Sequence, residues 1–548
     1  MELTFKPDTE KLFLLIVFFL LLWLGLGPLW DHRIKHDFPY GYMASDTFQH
    51  QTRAESIKDA GNYRNEAFYI VKGFKDVVGY YPPLLYHIGV IFSNLSGLEV
   101  YDGAYFVIFF LVIAAVLLLY FVLRHFQPIV AILAMPLTML LFTFPIYIAF
   151  TWGHWPALVA GLFVVAVIWA VQRFELPYFY TLLALFFAGI LLSHTSEAVF
   201  AFTFLLAYLG IRALFGKVSK ADFKQYILAG IIAGIISLYF LILFQGTWSK
   251  VQPFRFHQFP VWEGTPGFYF SSFGWVLSII IVAGMIIGLL VLAKKNFNAA
   301  IIAGFIFFIL GFANYVGFSF RAFQLRFFWP LYLAVFFGLV FYKIGHEAGK
   351  LLNKKWDTIS AVIVSLLLLA VLVYARYEPV KSPGLMDPYH WKAFGWIEQN
   401  TPQDAKIYFF YGDIYGQDAL MRNIKREHYL INYQDYIESI RNQTIRRNYK
   451  MKIPGDSGAG IPYRKSLFSY GFHAWETPQD YFYGYRDICS FDYYVFDHAG
   501  SQQSQPIFQV NNFIRTKFLE HSWMHEVFRN EVLSIVKNDK PGEDCLAA

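Results

Sequence analysis

The chain has 548 residues, of which 57% are hydrophobic, 20% aromatic and only 15% charged, with a formal net charge of +6 and a mean hydropathy of +0.41. A soluble protein of this length carries about a quarter charged residues, so a soluble enzyme is excluded and an integral membrane protein is implied. The small positive balance makes no case for a nucleic-acid partner, because in a membrane protein the distribution of charge over loops matters more than its sum.

The first apolar stretch, 11–29, runs into Trp30-Asp31-His32 rather than into a small-residue cleavage site, which predicts a retained anchor. A polar loop from 30 to 102 follows. First and second spans are usually joined by a short link, so an insertion of this size is a candidate site of chemistry. Near its start, Ser45-Asp46-Thr47 opens a predicted helix that Gly61 stops. His50 lies four residues after Asp46 and Arg53 seven, so the three share one helix face. A carboxylate beside an imidazole can take a proton from an incoming hydroxyl or amide while cations hold a phosphate. The same spacing also allows Asp46 to cap the helix, with Gln49 completing a capping box. The loop closes on Tyr80-Tyr81-Pro82-Pro83-Leu84-Leu85-Tyr86.

Apolar runs long enough to cross a hydrocarbon core of about 30 Å predict further spans near 103–123, 128–149, 153–171, 178–193, 197–214, 226–245, 274–293, 298–317, 327–345 and 357–375. The segment 83–98 is decided by loop charge, since Lys and Arg favour the cytoplasmic side. If it does not span, Lys217, Lys220, Lys224, Lys294 and Lys295 fall inside; if it does, they fall outside. It is therefore read as interfacial or re-entrant. About eleven spans result, with the N-terminus inside and residues 376–548 outside.

On that topology several polar residues sit at outer helix ends: His154, in Thr151-Trp152-Gly153-His154-Trp155, and His194 with Glu197, in Ser193-His194-Thr195-Ser196-Glu197. Ionisable groups next to hydrocarbon are costly and usually face a cavity, which makes them binding candidates; hydrated helix ends are the plainer reading. The outer loop 245–272 holds Lys250, Arg255, His257 and Glu263, and the next outer turn holds Arg321 and Arg326. Guanidinium groups donate in a fixed fork suited to phosphate, although Arg also anchors helix ends at the interface without binding anything.

Beyond 376 the pattern is mixed α/β: a helix over 387–400 stopped by Thr401-Pro402, strands at 406–411 and 493–496, and a hairpin pairing 524–528 with 532–536. Gly455 to Gly460 reads as a flexible loop. His390, His428, His473, His498, His521 and His525 lack zinc-site spacing and read as solvated surface residues. Cys489 and Cys545 are too few for a disulfide framework and read as incidental.

An outer first loop with an acidic residue near its start, a helix ending in glycine and then Tyr81-Pro82-Pro83-Leu84-Leu85-Tyr86 resembles the GT-C superfamily of polyprenyl-phosphate-sugar-dependent glycosyltransferases. That superfamily includes oligosaccharyltransferases, protein O-mannosyltransferases and lipid A aminoarabinose transferases. The resemblance covers 1–375 in organisation and 46–86 in motif. It implies a polytopic α-helical membrane module, 1–375, with an extracytoplasmic mixed α/β domain, 376–548. It also implies Asp46 as catalytic base; beside that, helix-face spacing offers His50 as a second catalytic candidate, and spacing and outer-end placement offer Arg53, His154, His194, Glu197, Arg255, Arg321 and Arg326 as substrate or phosphate contacts. The partners would be a polyprenyl-phosphate-linked sugar donor, a glycan, lipid or protein acceptor and membrane lipid, in the plasma membrane of a prokaryote. Many relatives place two adjacent acidic residues where this chain has Ser45-Asp46-Thr47, so a divalent cation would need a second carboxylate from Asp37 or Asp76. No cofactor is required on this reading. The oligosaccharyltransferase signature Trp-Trp-Asp-Tyr-Gly is missing; Ser490-Phe491-Asp492-Tyr493-Tyr494 stands instead. A transporter or flippase of lipid-linked glycans is the main rival, but no internal repeat accompanies it. A non-catalytic surface or assembly protein is the other.

Overall fold

The computed structural model of the protein describes residues 8–61, 82–241, 266–313, 322–351, 356–380, 384–410, 418–431, 446–452, 483–499 and 505–546, with short pieces at 463–465 and 471–473 and single positions 412, 438 and 442. Apolar runs become helices throughout the first part of the chain: α1 Thr9–Trp30, α2 Ser45–Ala60, α3 Leu84–Ser96, α4 Val100–Phe126, α5 Pro128–Thr138, α6 Ile148–Thr151, α7 Trp155–Val171, α8 Phe179–Leu191, α9 Thr195–Leu214, α10 Lys220–Ile236, α11 Pro266–Ala293, α12 Ala299–Leu310, α13 Ala322–Phe327, α14 Trp329–Tyr332, α15 Ala334–Leu351 and α16 Thr358–Arg376. Among the described residues, six helical stretches are long and apolar enough to cross a bilayer: Thr9–Trp30, Val100–Phe126, Thr195–Leu214, Phe273–Ala293, Trp329–Leu351 and Thr358–Arg376. Their outward faces expose Leu12, Phe19, Trp275, Leu289, Leu367 and Val371, an apolar shell that lipid covers and water would not. The protein is an integral membrane protein.

Two predicted spans are not single helices. The run 128–149 gives α5, a 3₁₀ turn Met139–Phe142 and the short α6; Pro136 lies inside the first piece, and a cis Phe144-Pro145 bond separates the rest. Proline removes a helical donor and clashes with the preceding turn, a local effect that mean hydropathy does not register. The run 327–345 is likewise divided among α13, α14 and α15. Helix α3 has 13 residues, about 20 Å of length, and is not among those six stretches.

The ends of the first loop are stitched together by buried polar groups. His36 donates its backbone N–H (2.8 Å) to the Asp102 carboxylate, Nδ1 lies 3.0 Å from the same carboxylate, and Nε2 lies 3.2 Å from the Trp30 carbonyl. Tyr101 donates to the His36 carbonyl and Tyr42 to the Tyr101 carbonyl, both at 2.8 Å. Buried polar groups stay buried only when paired, so this network fixes the loop against the starts of α4 and the end of α1. The chain after α16 adds to it: Val380 N–H bonds the Pro28 carbonyl (2.8 Å) and Leu385 N–H the Tyr42 carbonyl (2.7 Å).

The C-terminal unit is built on a seven-stranded mixed sheet of order β6-β3-β2-β1-β7-β9-β8, with β1 Lys406–Phe409, β2 Glu427–Ile431, β3 Asn448–Lys452, β6 Tyr483–Asp487, β7 Tyr493–Asp497, β8 Met524–Arg529 and β9 Leu533–Asn538. β4 Tyr463–Lys465 and β5 Gly471–His473 form a separate pair. Strand β1 runs parallel to β2 and β7, and the other pairs are antiparallel. Helix α17 Pro388–Asn400 begins and ends as its residues predict, with Asp387 accepting from Tyr389 and His390 and Thr401 closing it; α18 is Gln505–Leu519. The β8–β9 hairpin is present. Gly455 to Gly460 lie outside the described residues.

Two readings of this unit are corrected. Cys489 and Cys545 form a disulfide, 56 residues apart in sequence with a Cα–Cα distance of 5.4 Å, because folding brings the last residues onto the turn Ile488–Ser490. Replacing both by Ser should cost about 2–5 kcal/mol and lower the thermal midpoint of the purified protein; a midpoint insensitive to reductant would contradict the bond. His390 and His428 are buried rather than solvated. His390 lies between Asp387 (2.5 Å) and Asp497 (3.0 Å). Burial alone would discharge the ring, yet the two carboxylates outweigh it and push its pKa up to about 10. The unfolded value is about 6.5, so the stabilisation is complete below that pH and lost as pH rises toward about 10. The thermal midpoint should therefore fall between about pH 7 and 10, and His390→Gln should flatten that slope; equal slopes in mutant and wild type would refute the assignment.

Candidate active site

Helix α2 carries the residues singled out in the first loop. Its N-cap is Ala44, which makes no side-chain cap, so Asp46 does not cap the helix and no capping box with Gln49 forms. Asp46 stands instead in the first turn and is half-buried. There the positive end of the helix favours its charge. Thr47 closes the turn through its hydroxyl and its N–H, both to the Ala44 carbonyl (2.5 and 3.3 Å). His50 and Arg53 follow on the same face and are buried.

The turn before α7 is laid directly on Asp46. Met43 N–H bonds the Thr151 carbonyl at 2.8 Å. Gly153 has φ +83, and a Cβ there would stand 2.5 Å from Thr47 N and 2.9 Å from Asp46 Cβ. Only glycine permits both the conformation and the approach. The next residues, His154 and Trp155, are thereby brought to α2: the Trp155 ring lies 6.0 Å from the His50 ring, inside an aromatic group with Tyr42 and Tyr105.

Three further elements complete the constellation. The Tyr86 hydroxyl of α3 is 3.0 Å from His50 Nδ1, and ligation of one ring nitrogen fixes how the imidazole is presented. Gln324 of α13 donates to His154 Nδ1 at 2.9 Å, which assigns the His154 proton to Nε2, and Phe327 stacks on the same ring at 5.0 Å. Leu84 N–H bonds the Leu192 carbonyl at 2.9 Å, setting the start of α3 beside the turn that ends in His194. His194 Nδ1 is hydrogen-bonded to Glu197, whose carboxylate is fully buried. The second Glu197 oxygen and the Tyr332 hydroxyl have no hydrogen-bond partner among the described residues. Unsatisfied buried polar atoms cost about 1–3 kcal/mol each, so buried groups of this kind call for a partner.

The structure thus lays the 151–154 turn, which carries His154, on the start of α2, which carries Asp46 and His50, and sets the start of α3, whose Tyr86 meets His50, beside the turn that leads to His194 and Glu197. Arg326 is buried, donates Nε to the Gly311 carbonyl at 2.6 Å and lies over the Phe312 ring at 5.7 Å. Arg255 and Arg321, and Asp76, lie outside the described residues. Asp37 lines a cavity on the other side of α2, away from Asp46. No group of three or more His, Cys, Asp or Glu suited to a metal ion occurs among the described residues. Tyr86 was legible as part of the Tyr-Pro-Pro motif, though not as a partner of His50. Gln324, Tyr332 and Gly153 carried no sequence signal, because each acquires its place from a contact far along the chain.

No family model matches the sequence, and no curated protein matches it. The fold, by contrast, is shared with solved membrane proteins. The oligosaccharyltransferase of Archaeoglobus fulgidus matches with a TM-score of 0.57 at 12% identity, over 93% of this chain and 72% of that one. ArnT from Cupriavidus metallidurans, bound to undecaprenyl phosphate, matches with a TM-score of 0.54 at 10% identity, over 99% and 100%. Mycobacterial arabinofuranosyltransferase AftD matches with a TM-score of 0.51 at 11% identity, over 96% of this chain but 41% of its own length. The chain shares the fold of these membrane proteins, as the resemblance of its first loop implied.

Proposed function

We propose that the protein is a glycosyltransferase that moves a sugar from a polyprenyl-phosphate donor to a glycan, lipid or protein acceptor at the extracytoplasmic face, with inversion and with Asp46 as base. The observation that carries this reading is the packing of the 151–154 turn, with His154, on the start of α2, with Asp46 and His50, at one end of the bundle, where Tyr86 and Gln324 hydrogen-bond the two imidazoles. Clustering at a bundle end suits a reaction at the membrane surface and not a mid-membrane transport site. Support also comes from the neighbours: the Archaeoglobus enzyme was solved with dolichol-phosphate and an inhibitory peptide, and ArnT with undecaprenyl phosphate.

In the proposed step, Asp46 accepts the proton of the acceptor nucleophile as its lone pair attacks the anomeric carbon from the side opposite the phosphate. The bond from that carbon to the phosphate oxygen breaks, its electron pair leaves with the prenyl phosphate, and the configuration inverts. A phosphate needs no general acid if cations stabilise it; Arg53 and Arg326, with Arg255 and Arg321, are the groups proposed for that task. His154 and the His194–Glu197 pair would bind the sugar and phosphate. The step requires no metal or cofactor.

The orientation belongs to the same proposal: eleven spans, N-terminus cytoplasmic, first loop and C-terminal unit outside, in the plasma membrane of a prokaryote. The Lys and Arg balance of the loops supports it, as does the disulfide Cys489–Cys545, a bond at home in an oxidising compartment. The test is release of prenyl phosphate by purified protein in nanodiscs supplied with radiolabelled polyprenyl-phosphate glucose, mannose or arabinose and an extract of envelope acceptors. Label should pass to acceptor; no transfer from any donor would overturn the assignment.

A further inference from the structure

Behind α2, on the face turned away from Asp46, a cavity of about 430 Å³ opens between the first loop and the C-terminal unit, within the range of about 300–1,000 Å³ usual for small-molecule sites. Gln51 and Glu55 of α2 form one wall, and Trp391, Gly395 and Glu398 of α17 the other, with Tyr101 at the base. Successive helix positions turn by about 100°, so Glu55 points about 180° and Gln51 about 140° away from Asp46, and neither Asp46 nor His50 lines the cavity. The cavity is therefore separate from the candidate active site, although one helix serves both.

Two observations say what the cavity is suited to hold. Gly395 stands inside helix α17, where glycine costs about 0.5–1 kcal/mol relative to Ala. A Cβ there would meet nothing within 4 Å, so no packing demands a glycine, and its missing side chain leaves the cavity open. Trp391 packs edge-to-face on Tyr101, ring centres 5.5 Å apart, and supplies an aromatic wall. Carboxylates and amides facing an aromatic wall are the chemistry of hydroxyl-rich rings: the oxygens accept from hydroxyls, the amide both donates and accepts, and the ring covers C–H faces. Lys425 orients the carboxylates, with Nζ 3.3 Å from Glu55, 2.9 Å from Asp59 and 3.1 Å from Glu398. Burial would discharge this lysine, but the three carboxylates more than compensate and hold it above its ordinary value. Asp37, Glu55, Glu99 and Glu398 outnumber Lys35 and Lys425 in the lining, so the field repels anionic ligands.

We propose that this cavity binds a non-acidic saccharide of roughly one or two rings, the unreacting part of a glycan acceptor held behind the helix that carries Asp46. The acceptor role rests on the glycosyl-transfer reading, whereas the binding itself does not. The test measures equilibrium binding of three trisaccharides to the purified full-length protein in nanodiscs: mannotriose, a glucosamine trimer and trigalacturonate. Either non-acidic trimer should bind saturably, trigalacturonate at least about tenfold more weakly, and both Trp391→Ala and Gly395→Phe should weaken binding at least about tenfold. Gly395→Phe fills the cavity from a position with room for the new side chain, so it stays informative should Trp391→Ala fail to fold. Absence of binding, preference for trigalacturonate or affinities unchanged in Gly395→Phe would overturn the proposal. Sugar transfer proceeding without saccharide binding would overturn it and leave glycosyl transfer standing; binding retained without transfer would support the saccharide site while removing its acceptor role.

Discussion

Asp46→Asn is expected to lower sugar transfer by about 10²–10⁴-fold, the range for removing a positioned general base, while the protein remains folded. Asparagine keeps the size and the acceptor oxygen of the side chain and removes only its ability to take the acceptor's proton. A charge lost from the first turn of a helix forfeits about 0.3–1 kcal/mol of interaction with the helix dipole, and the N-cap position of α2 is Ala44 and not Asp46. Transfer of label from the prenyl-phosphate donor, measured beside the thermal midpoint, separates chemistry from stability. A mutant rate within about threefold of wild type, far below the effect a base supplies, would remove Asp46 from the mechanism.

Gly153→Ala carries the second large effect, and it tests the constellation without touching any reacting group. At φ +83 an L-residue costs about 1–2 kcal/mol. The new methyl would also press on backbone, 2.5 Å from Thr47 N and 2.6 Å from the Asp46 carbonyl carbon, where no flexible side chain can give way. Either the 151–154 turn or the start of α2 must move, and the distance between Asp46 and His154 changes with it. Displacement on the order of 1 Å costs about a hundredfold in rate, so kcat should fall by about 10–100-fold with a modest loss of stability. Gly210→Ala is the matched control, since Gly210 lies in α9 with nothing within 4 Å of its would-be Cβ; it should be silent. If Gly153→Ala were as silent, Asp46 and the 151–154 turn would not form one site.

How far the sequence can be read depends on the range of the interaction concerned. Helix α17 was legible with both ends because Asp387 and Thr401 act within one turn of themselves, and the β8–β9 hairpin because its strands are neighbours in sequence. Asp46, His50 and Arg53 could be placed on one face for the same reason. Where the reading failed, a partner lay far away or a local break was hidden under a high average. The break between Phe142 and Ile148, where Pro145 lies, divided an apolar run that mean hydropathy showed as continuous. His390 was taken as solvated because Asp497, 107 residues on, could not be foreseen as its partner, and Cys489 was taken as incidental because Cys545 meets it only after the sheet has formed.

By itself, then, the sequence determined that this protein lives in a membrane, where its long apolar runs lie and which polar groups share the face of α2, since hydropathy and a helical period of 3.6 residues need no knowledge of the rest of the chain. Only the tertiary structure decided which of those groups meet. Gly153 lies against Asp46, Tyr86 on His50 and Gln324 on His154 because separate helices pack at fixed distances, and the residues that touch across such contacts are separated by anything from 36 to 170 positions. No period or spacing in the chain encodes a contact of that range; the packing of the bundle does.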